Sequence, residues 1–294
     1  SRTTATYGSN RRLLRENNVP ALADNPKGVT DPDVPVFEVE SRDGKTRAVV
    51  FTYACHCTTL GGDWYRYHGD HAGVASVEIE KAIPGATALF VNGCSGDLNP
   101  KPRGKVEQAE QHGKALAAAV TGALGTPSSR TIAGPLRMKY RTIDLPLEPA
   151  PARELVEKQT GSKNIYRARH AKETLRLMDA GKLPAAVPFP ILVWEFEGDL
   201  TLVALSGETC VEYALRIKKE LGEERTWVAG YSNEVACYIP SEKVLAEGGY
   251  EAGWDLEFKR TLASGSIMYY GWAVPFAPGI EERILKAVHE TVGR

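Results

Sequence analysis

Long apolar runs are what this sequence most plainly lacks: no stretch approaches the roughly 20 residues that span a bilayer, and runs such as Ala48 to Tyr53 are only strand-sized. The expectation is a soluble chain with no transmembrane segment. An excess of either charge is missing too. The 36 Lys and Arg nearly cancel the 37 Asp and Glu, and no block of like charge is long enough to give the electrostatic footprint that a phosphate backbone requires. No nucleic-acid partner is therefore expected. Cysteine is sparse and unpatterned: Cys55, Cys57, Cys94, Cys210 and Cys237 are odd in number and have no CxxC spacing, which spells neither a disulfide framework nor a zinc ribbon. Their plainest reading is small buried thiols, although all five lie in or beside the segments singled out below. The opening Ser1-Arg2-Thr3-Thr4 has no initiator Met and no apolar signal-peptide core, so the expectation is a chain that begins after something was removed or omitted. Internal repeats and low-complexity tracts are absent as well.

What is there suffices for a full core, with 294 residues and 43% hydrophobic content. Residues 1–35 are rich in Asn, Pro, Gly, Asp and Arg and sustain no period, so they read as an extended N-terminal arm packed on the rest. Residues 36–294 read as a single domain. There, strand-like Val36 to Val39 and Arg47 to Tyr53 flank the turn Arg42-Asp43-Gly44, and helix-like Ala72 to Ile83, strand-like Ala86 to Val91 and helix-like Val106 to Leu124 follow. Leu136 to Leu147 alternates as a half-exposed strand. A Pro-rich bend leads into a charged helical stretch, Ala152 to Ala180, whose Arg167, Arg169, His170 and Lys172 read as a solvated face, with a mobile cover over a pocket as the sharper alternative. A hairpin, Ile191 to Glu197 and Leu200 to Leu205, turns at Gly198-Asp199. After it come a helix over Cys210 to Leu221, a strand over Thr226 to Gly230, a long Gly- and Tyr-rich loop, and an amphipathic helix over Pro278 to Val292. The fold class expected is α/β, leaning to α+β: layered mixed sheets flanked by helices, with the site at strand ends.

Four segments place polar residues directly after short apolar strands, where open α/β sheets build sites. The first, Ala54-Cys55-His56-Cys57-Thr58-Thr59-Leu60, offers an imidazole that can ligate a metal through one nitrogen while the other is oriented by an acceptor. A hydrogen-bonded structural histidine is the plainer reading of His56 alone. The second, Tyr67-His68-Gly69-Asp70-His71-Ala72-Gly73, adds His68, His71 and the carboxylate of Asp70, which could equally cap the following helix. The third, Phe90 to Pro100, leaves its strand through Gly93 and Gly96, whose backbone N–H groups suit an oxyanion, and carries Asp97 and Asn99. As bare composition it is a glycine turn. The fourth pairs Ser206-Gly207-Glu208 with Tyr231 to Pro240. Glu208 could simply complement the dipole of the next helix, and Tyr238 could be an amphipathic residue at the core edge.

Together and in this order, these segments resemble those of the neutral, non-lysosomal ceramidase-like hydrolases. Ala54 to Leu60 is similar to that family's acHpT-type motif, His68 to Gly73 to its isaDypG segment, and Phe90 to Pro100 to its GaaGDinP or GDVSPN segment. Gly230 to Ala252, with Tyr238-Ile239-Pro240 and Gly248-Gly249-Tyr250-Glu251, resembles its gYiPt…GGYEa stretch, and Asn10-Arg11-Arg12 matches an NRR element. The resemblance covers nearly the whole chain. It implies a Zn²⁺ site in which His56, Glu208 and Tyr238 are ligands, hydrolysis of an amide bond in a small-molecule or lipid-like N-acyl substrate, and a periplasmic or extracellular home. Asp70 and Asp97 match acidic positions that orient loops, and with Asn99 and the Gly93 and Gly96 amides they are expected around the reacting carbonyl.

Two departures qualify what the resemblance implies. The family's upstream His-Thr-His motif, which supplies another zinc-binding histidine, does not occur in this sequence. Either the mature chain lacks that half, or a separate polypeptide, an associating N-terminal segment, provides it, or His68 or His71 takes its place. The second departure is Asn99, which stands where the ceramidases carry the serine of GDVSPN. Asparagine cannot be the nucleophile, so metal-activated water is expected to attack. The rival expectations are a hydrolase of a small polar ester, amide or acylated sugar, and a non-catalytic binding module.

Overall fold

Every second residue of the strand over Thr46–Tyr53 is apolar on one face, and that period of two sets the first half of the molecule. The computed structural model of the protein describes residues 1–14, 20–126 and 129–293. Its first half runs through strands β1 (Arg2–Thr4), β2 (Gly8–Leu14), β3 (Pro20–Asn25), β4 (Asp33–Glu40) and β5 (Thr46–Tyr53), helix α1 (Asp70–Ala82), strands β6 (Thr87–Asn92) and β7 (Leu98–Pro100), and helix α2 (Val106–Ala123). Val49, Phe51 and Tyr53 point inward from β5 and pack against Ala75 and Ile79 of α1 and Leu116 and Val120 of α2. The sheet order is β1-β4-β5-β6. Strands β5 and β6 are parallel, joined through α1, with Tyr53 opposite Asn92. Their C-terminal ends therefore lie side by side, and so do the loops that leave them.

The second half repeats this device. It comprises β8 (Leu136–Pro146), α3 (Arg153–Gln159), α4 (Ile165–Asp179), β9 (Ala186–Phe196), β10 (Leu200–Leu205), β11 (Glu208–Thr209), α5 (Val211–Leu221), β12 (Thr226–Ala229), β13 (Tyr238–Ile239), α6 (Glu242–Glu247), α7 (Gly265–Tyr269) and α8 (Ile280–Val292). The sheet order is β12-β10-β9-β8, and β10 and β12 are parallel across α5. Val187, Phe189, Ile191 and Val193 of β9 pack with Tyr213 and Ile217 of α5 and Ile284 and Val288 of α8. The strand ends of the two halves meet: Gly230 N–H donates to Asn92 O at 3.1 Å, Gly96 N–H to Thr209 O at 2.9 Å, and Trp227 Nε1–H to Thr52 Oγ1 at 2.6 Å. Mixed sheets flanked by helices are what the sequence predicts.

Three expectations are corrected. Residues 1–35 contain regular strands: β1 extends the first sheet, and β2 sits between β3 and β7. Their pairing partners are distant in sequence, so no local period announces them. Strand β9 starts at Ala186 and includes Pro188 and Pro190, which pair only with β8, because β10 reaches no further along β9 than Ile191. A proline that lacks N–H is tolerated where no second neighbour needs it. The charged helical stretch breaks into α3 and α4 at Asn164, whose side chain accepts from the N–H groups of Tyr166 and Arg167. Arg169 and Lys172 are solvated as expected, whereas His170 is buried against the carbonyl of Trp272 and Arg167 lies over the Phe258 ring.

Candidate metal centre

The loop after β5 turns His56 toward the junction of the two halves. Its Nδ1 lies 2.6 Å from the carbonyl of Ser95 and 3.0 Å from that of Leu98. Carbonyls only accept, so Nδ1 carries the proton and donates, which leaves Nε2 to face the centre. Nε2 is 3.0 Å from Glu208 Oε2 and 3.0 Å from Tyr238 Oη. Glu208 and Tyr238 share this position because β11 and β13 pair in parallel with these two residues directly opposite. A second phenol, Tyr231, approaches Nε2 at 3.4 Å.

Charge around the centre is arranged by residues that sequence reasoning did not assign. Arg11, on β2, donates from Nη2 to Tyr238 Oη at 3.1 Å and to Gly96 O at 2.8 Å, and from Nε to Glu251 Oε1 at 2.8 Å. Glu251 is buried and also accepts from Arg12 at 2.6 Å. Tyr270 donates its hydroxyl to Glu208 Oε1. Burial works against the Glu208 carboxylate, yet the neighbouring His56 imidazole and the Tyr270 hydroxyl hold its pKa below the usual glutamate value. Burial pushes the Tyr238 phenol upward, with the Arg11 charge opposing. The NRR element was the one signal pointing to Arg11 and Arg12, and Tyr231 opens the second part of the fourth polar segment; Tyr270 carried none, because it reaches the centre only through the fold.

These side chains fit a zinc ion. Two lone-pair donors, Nε2 and a carboxylate oxygen, face each other at 3.0 Å, an approach that needs a proton or a cation between them. Nitrogen and oxygen donors are what zinc takes, and a catalytic site uses three protein ligands with one position open. The carbonyls that hold Nδ1 fix the tautomer in the way metal-bound histidines are usually fixed.

The other expected residues divide differently. His68 is exposed, and its Nδ1 accepts from the Asp70 N–H at 2.9 Å. His71 is fully buried, between Asp70 and Cys57. Neither is hydrogen-bonded to His56, Glu208 or Tyr238, and among the described residues no three His, Cys, Asp or Glu side chains gather as a metal-holding group. His68 lies just before α1 and His71 in its first turn. Asp70 opens α1 and binds the Thr59 hydroxyl and the Leu60 N–H at 2.6 and 3.2 Å. Asp97 is buried, accepting from Asn10 at 2.9 Å and from the Val211 N–H at 2.8 Å, so it caps α5 from across the molecule. Glu208 does not cap that helix.

Gly93 and Gly96 are not oxyanion donors. Their N–H groups are spent on Tyr53 O at 3.1 Å and Thr209 O at 2.9 Å. Their glycine identity serves close packing, since a Cβ on Gly96 would stand 2.4 Å from Glu208 O. Asn99 accepts on Oδ1 from Arg11 at 3.2 Å and Thr58 at 3.3 Å, and it lines a cavity of about 430 Å³ with Arg11, Leu22, Asp24, Lys101 and Arg103.

No protein-family model matches this chain, and no curated protein matches it. Among solved structures, the neutral ceramidase from Pseudomonas aeruginosa aligns over 99% of this chain and 51% of its own, with a TM-score of 0.63 and 18% identity. A ceramidase complexed with C2 aligns over 99% and 52%, with a TM-score of 0.65 and 16% identity. The chain has a neutral-ceramidase-like fold. This ceramidase-like chain spans about half the length of the structures it matches. In it the junction of the two sheet halves carries His56, Glu208 and Tyr238 on three separate loops or short strands, as the geometry above describes.

Proposed function

We propose that the chain provides a zinc-dependent centre for hydrolysis of the amide bond of an N-acyl, lipid-like substrate. One observation carries this reading: an imidazole nitrogen freed of its proton, a carboxylate and a phenol meet within 3.0 Å of His56 Nε2. In it, His56, Glu208 and Tyr238 hold the ion, and a further imidazole comes from His68, from His71 or from another segment. Bound zinc polarises an amide carbonyl and lowers the pKa of water to about 7. The protein's own part is to keep those groups in place. Ser95 and Leu98 carbonyls orient His56, Arg11 sets a positive charge against the Tyr238 oxygen, and Tyr270 anchors the far oxygen of Glu208. Asn99 offers its amide N–H to the substrate while Arg11 and Thr58 hold its oxygen. An amide does not attack carbonyls, so water is the nucleophile. The exported location belongs to the same proposal.

A second reading has its own observation. The adjoining cavity is lined by Arg11, Asp24, Lys101 and Arg103 besides Leu22 and Pro100, and these charged side chains suit a small polar amide or ester better than the two long hydrocarbon chains of a ceramide. Metal analysis with His56→Ala and Glu208→Ala tests the centre. Stoichiometric zinc is expected in the parent and not in either variant; full retention in both removes the site. Turnover of a fluorescent ceramide against an N-acyl amino acid chooses between the substrates.

A further inference from the structure

We propose that Cys57, His71 and Asp70 form a second, metal-independent nucleophilic centre, in which a base-assisted thiol takes small electrophiles covalently. Cys57 is the exposed cysteine; Cys55, Cys94, Cys210 and Cys237 are all buried. Its Sγ lies 3.8 Å from His71 Nε2, and His71 Nδ1 lies 3.2 Å from Asp70 Oδ1. An ionised carboxylate only accepts, so Nδ1 carries the ring proton and Nε2 presents its lone pair to the thiol. Nucleophile, base and orienting group thus stand in the sequence that activated thiols and hydroxyls use.

The base is held rigidly. Its ring is fully buried, with Tyr7 and Phe90 at centroid distances of 5.2 and 5.9 Å. Asp70 in turn takes hydrogen bonds from the Thr59 hydroxyl at 2.6 Å and the His71 N–H at 2.7 Å. Burial opposes its charge, but the bonds from His71 and Thr59 keep the carboxyl well below the ordinary aspartate range. Asp70 also has a φ of 52°, the left-handed region that a side chain enters at a cost and that persists where surrounding structure enforces it. The Sγ–Nε2 approach of 3.8 Å lets the thiol proton pass to His71 as the sulfur attacks.

With iodoacetamide as the probe, the S–C bond forms as the C–I bond breaks, iodide leaves with the electron pair, and the thiol proton passes to His71 Nε2. Limited labelling of the folded full chain, followed by peptide mapping, is expected to mark Cys57 first. His71→Gln is expected to lower its rate about 100-fold, the lower end of what a positioned base contributes, and the parent is expected to react more slowly in D₂O. First labelling at another cysteine overturns the proposal, as does an unchanged rate in a folded His71→Gln. Should that variant not fold, the D₂O comparison decides: no slowing means a free thiolate and overturns it. Cys57→Ser is expected to lose the label and keep its zinc, so this outcome is separable from that of the metal centre.

Discussion

Asp97 shows what burial does to one acid. Its oxygens accept from the Val211 N–H and from Asn10, and among the described residues no ion pair to it is formed. Burial first, and then the nearby Glu212, raise its pKa from 3.8 to about 7. Between those values the folded chain holds a proton that the unfolded chain has released. The stabilisation is complete below the unfolded value, declines as pH rises, and is gone above the folded one, with a slope of at most about 1.4 kcal/mol per pH unit. Urea denaturation from pH 4 to 8 is expected to show this decline in the parent and to lose it in Asp97→Asn. Parallel pH profiles for the two proteins would refute the assignment. His56 makes the complementary point, since its own segment could not say whether it was structural or a ligand. The Ser95 and Leu98 carbonyls settle which nitrogen faces the centre.

At the scale of elements, α5 is the instructive case. Val211, Ala214, Ile217 and Leu221 face the core as an amphipathic helix should, yet Lys218 is buried with them. Its ammonium lies 2.7 Å from Asp31 and 3.1 Å from Asp33, the residue that opens β4. The ion pair ties the helix of the second half to the first sheet. Lys218→Met removes the cation from Asp31, which is buried, while Asp33 keeps Arg2. A loss of about 3–5 kcal/mol is expected, because the charge left behind is desolvated and unpaired. Chemical denaturation measures it, and a change under about 1 kcal/mol, the range of exposed pairs, would mean that water reaches Asp31.

On the scale of the whole molecule, the two sheet halves are interlocked rather than merely adjacent. Glu251, in the Gly- and Tyr-rich stretch, receives Arg11 and Arg12 from β2 in buried ion pairs, and Gly230, Trp227 and Thr209 bond across to Asn92, Thr52 and Gly96. One cooperative unfolding transition is expected by tryptophan fluorescence and by circular dichroism alike. Glu251→Gln is expected to move that single transition down by about 3–5 kcal/mol; two separated transitions in the parent would show halves that fold independently. Local sequence determined the alternation of strands with helices, the amphipathic α8 and the four polar strand ends, because period and turn chemistry are written in neighbouring residues. It also marked His56, Glu208 and Tyr238 as residues to watch. It could not place β1 to β3, whose partners lie far along the chain, nor take the Gly93 and Gly96 amides out of service, nor set Cys57 against His71. Those depend on which strand ends meet, and that is decided by the packing of two cores against each other, where the hydrogen bond that satisfies each polar group comes from a residue distant in sequence.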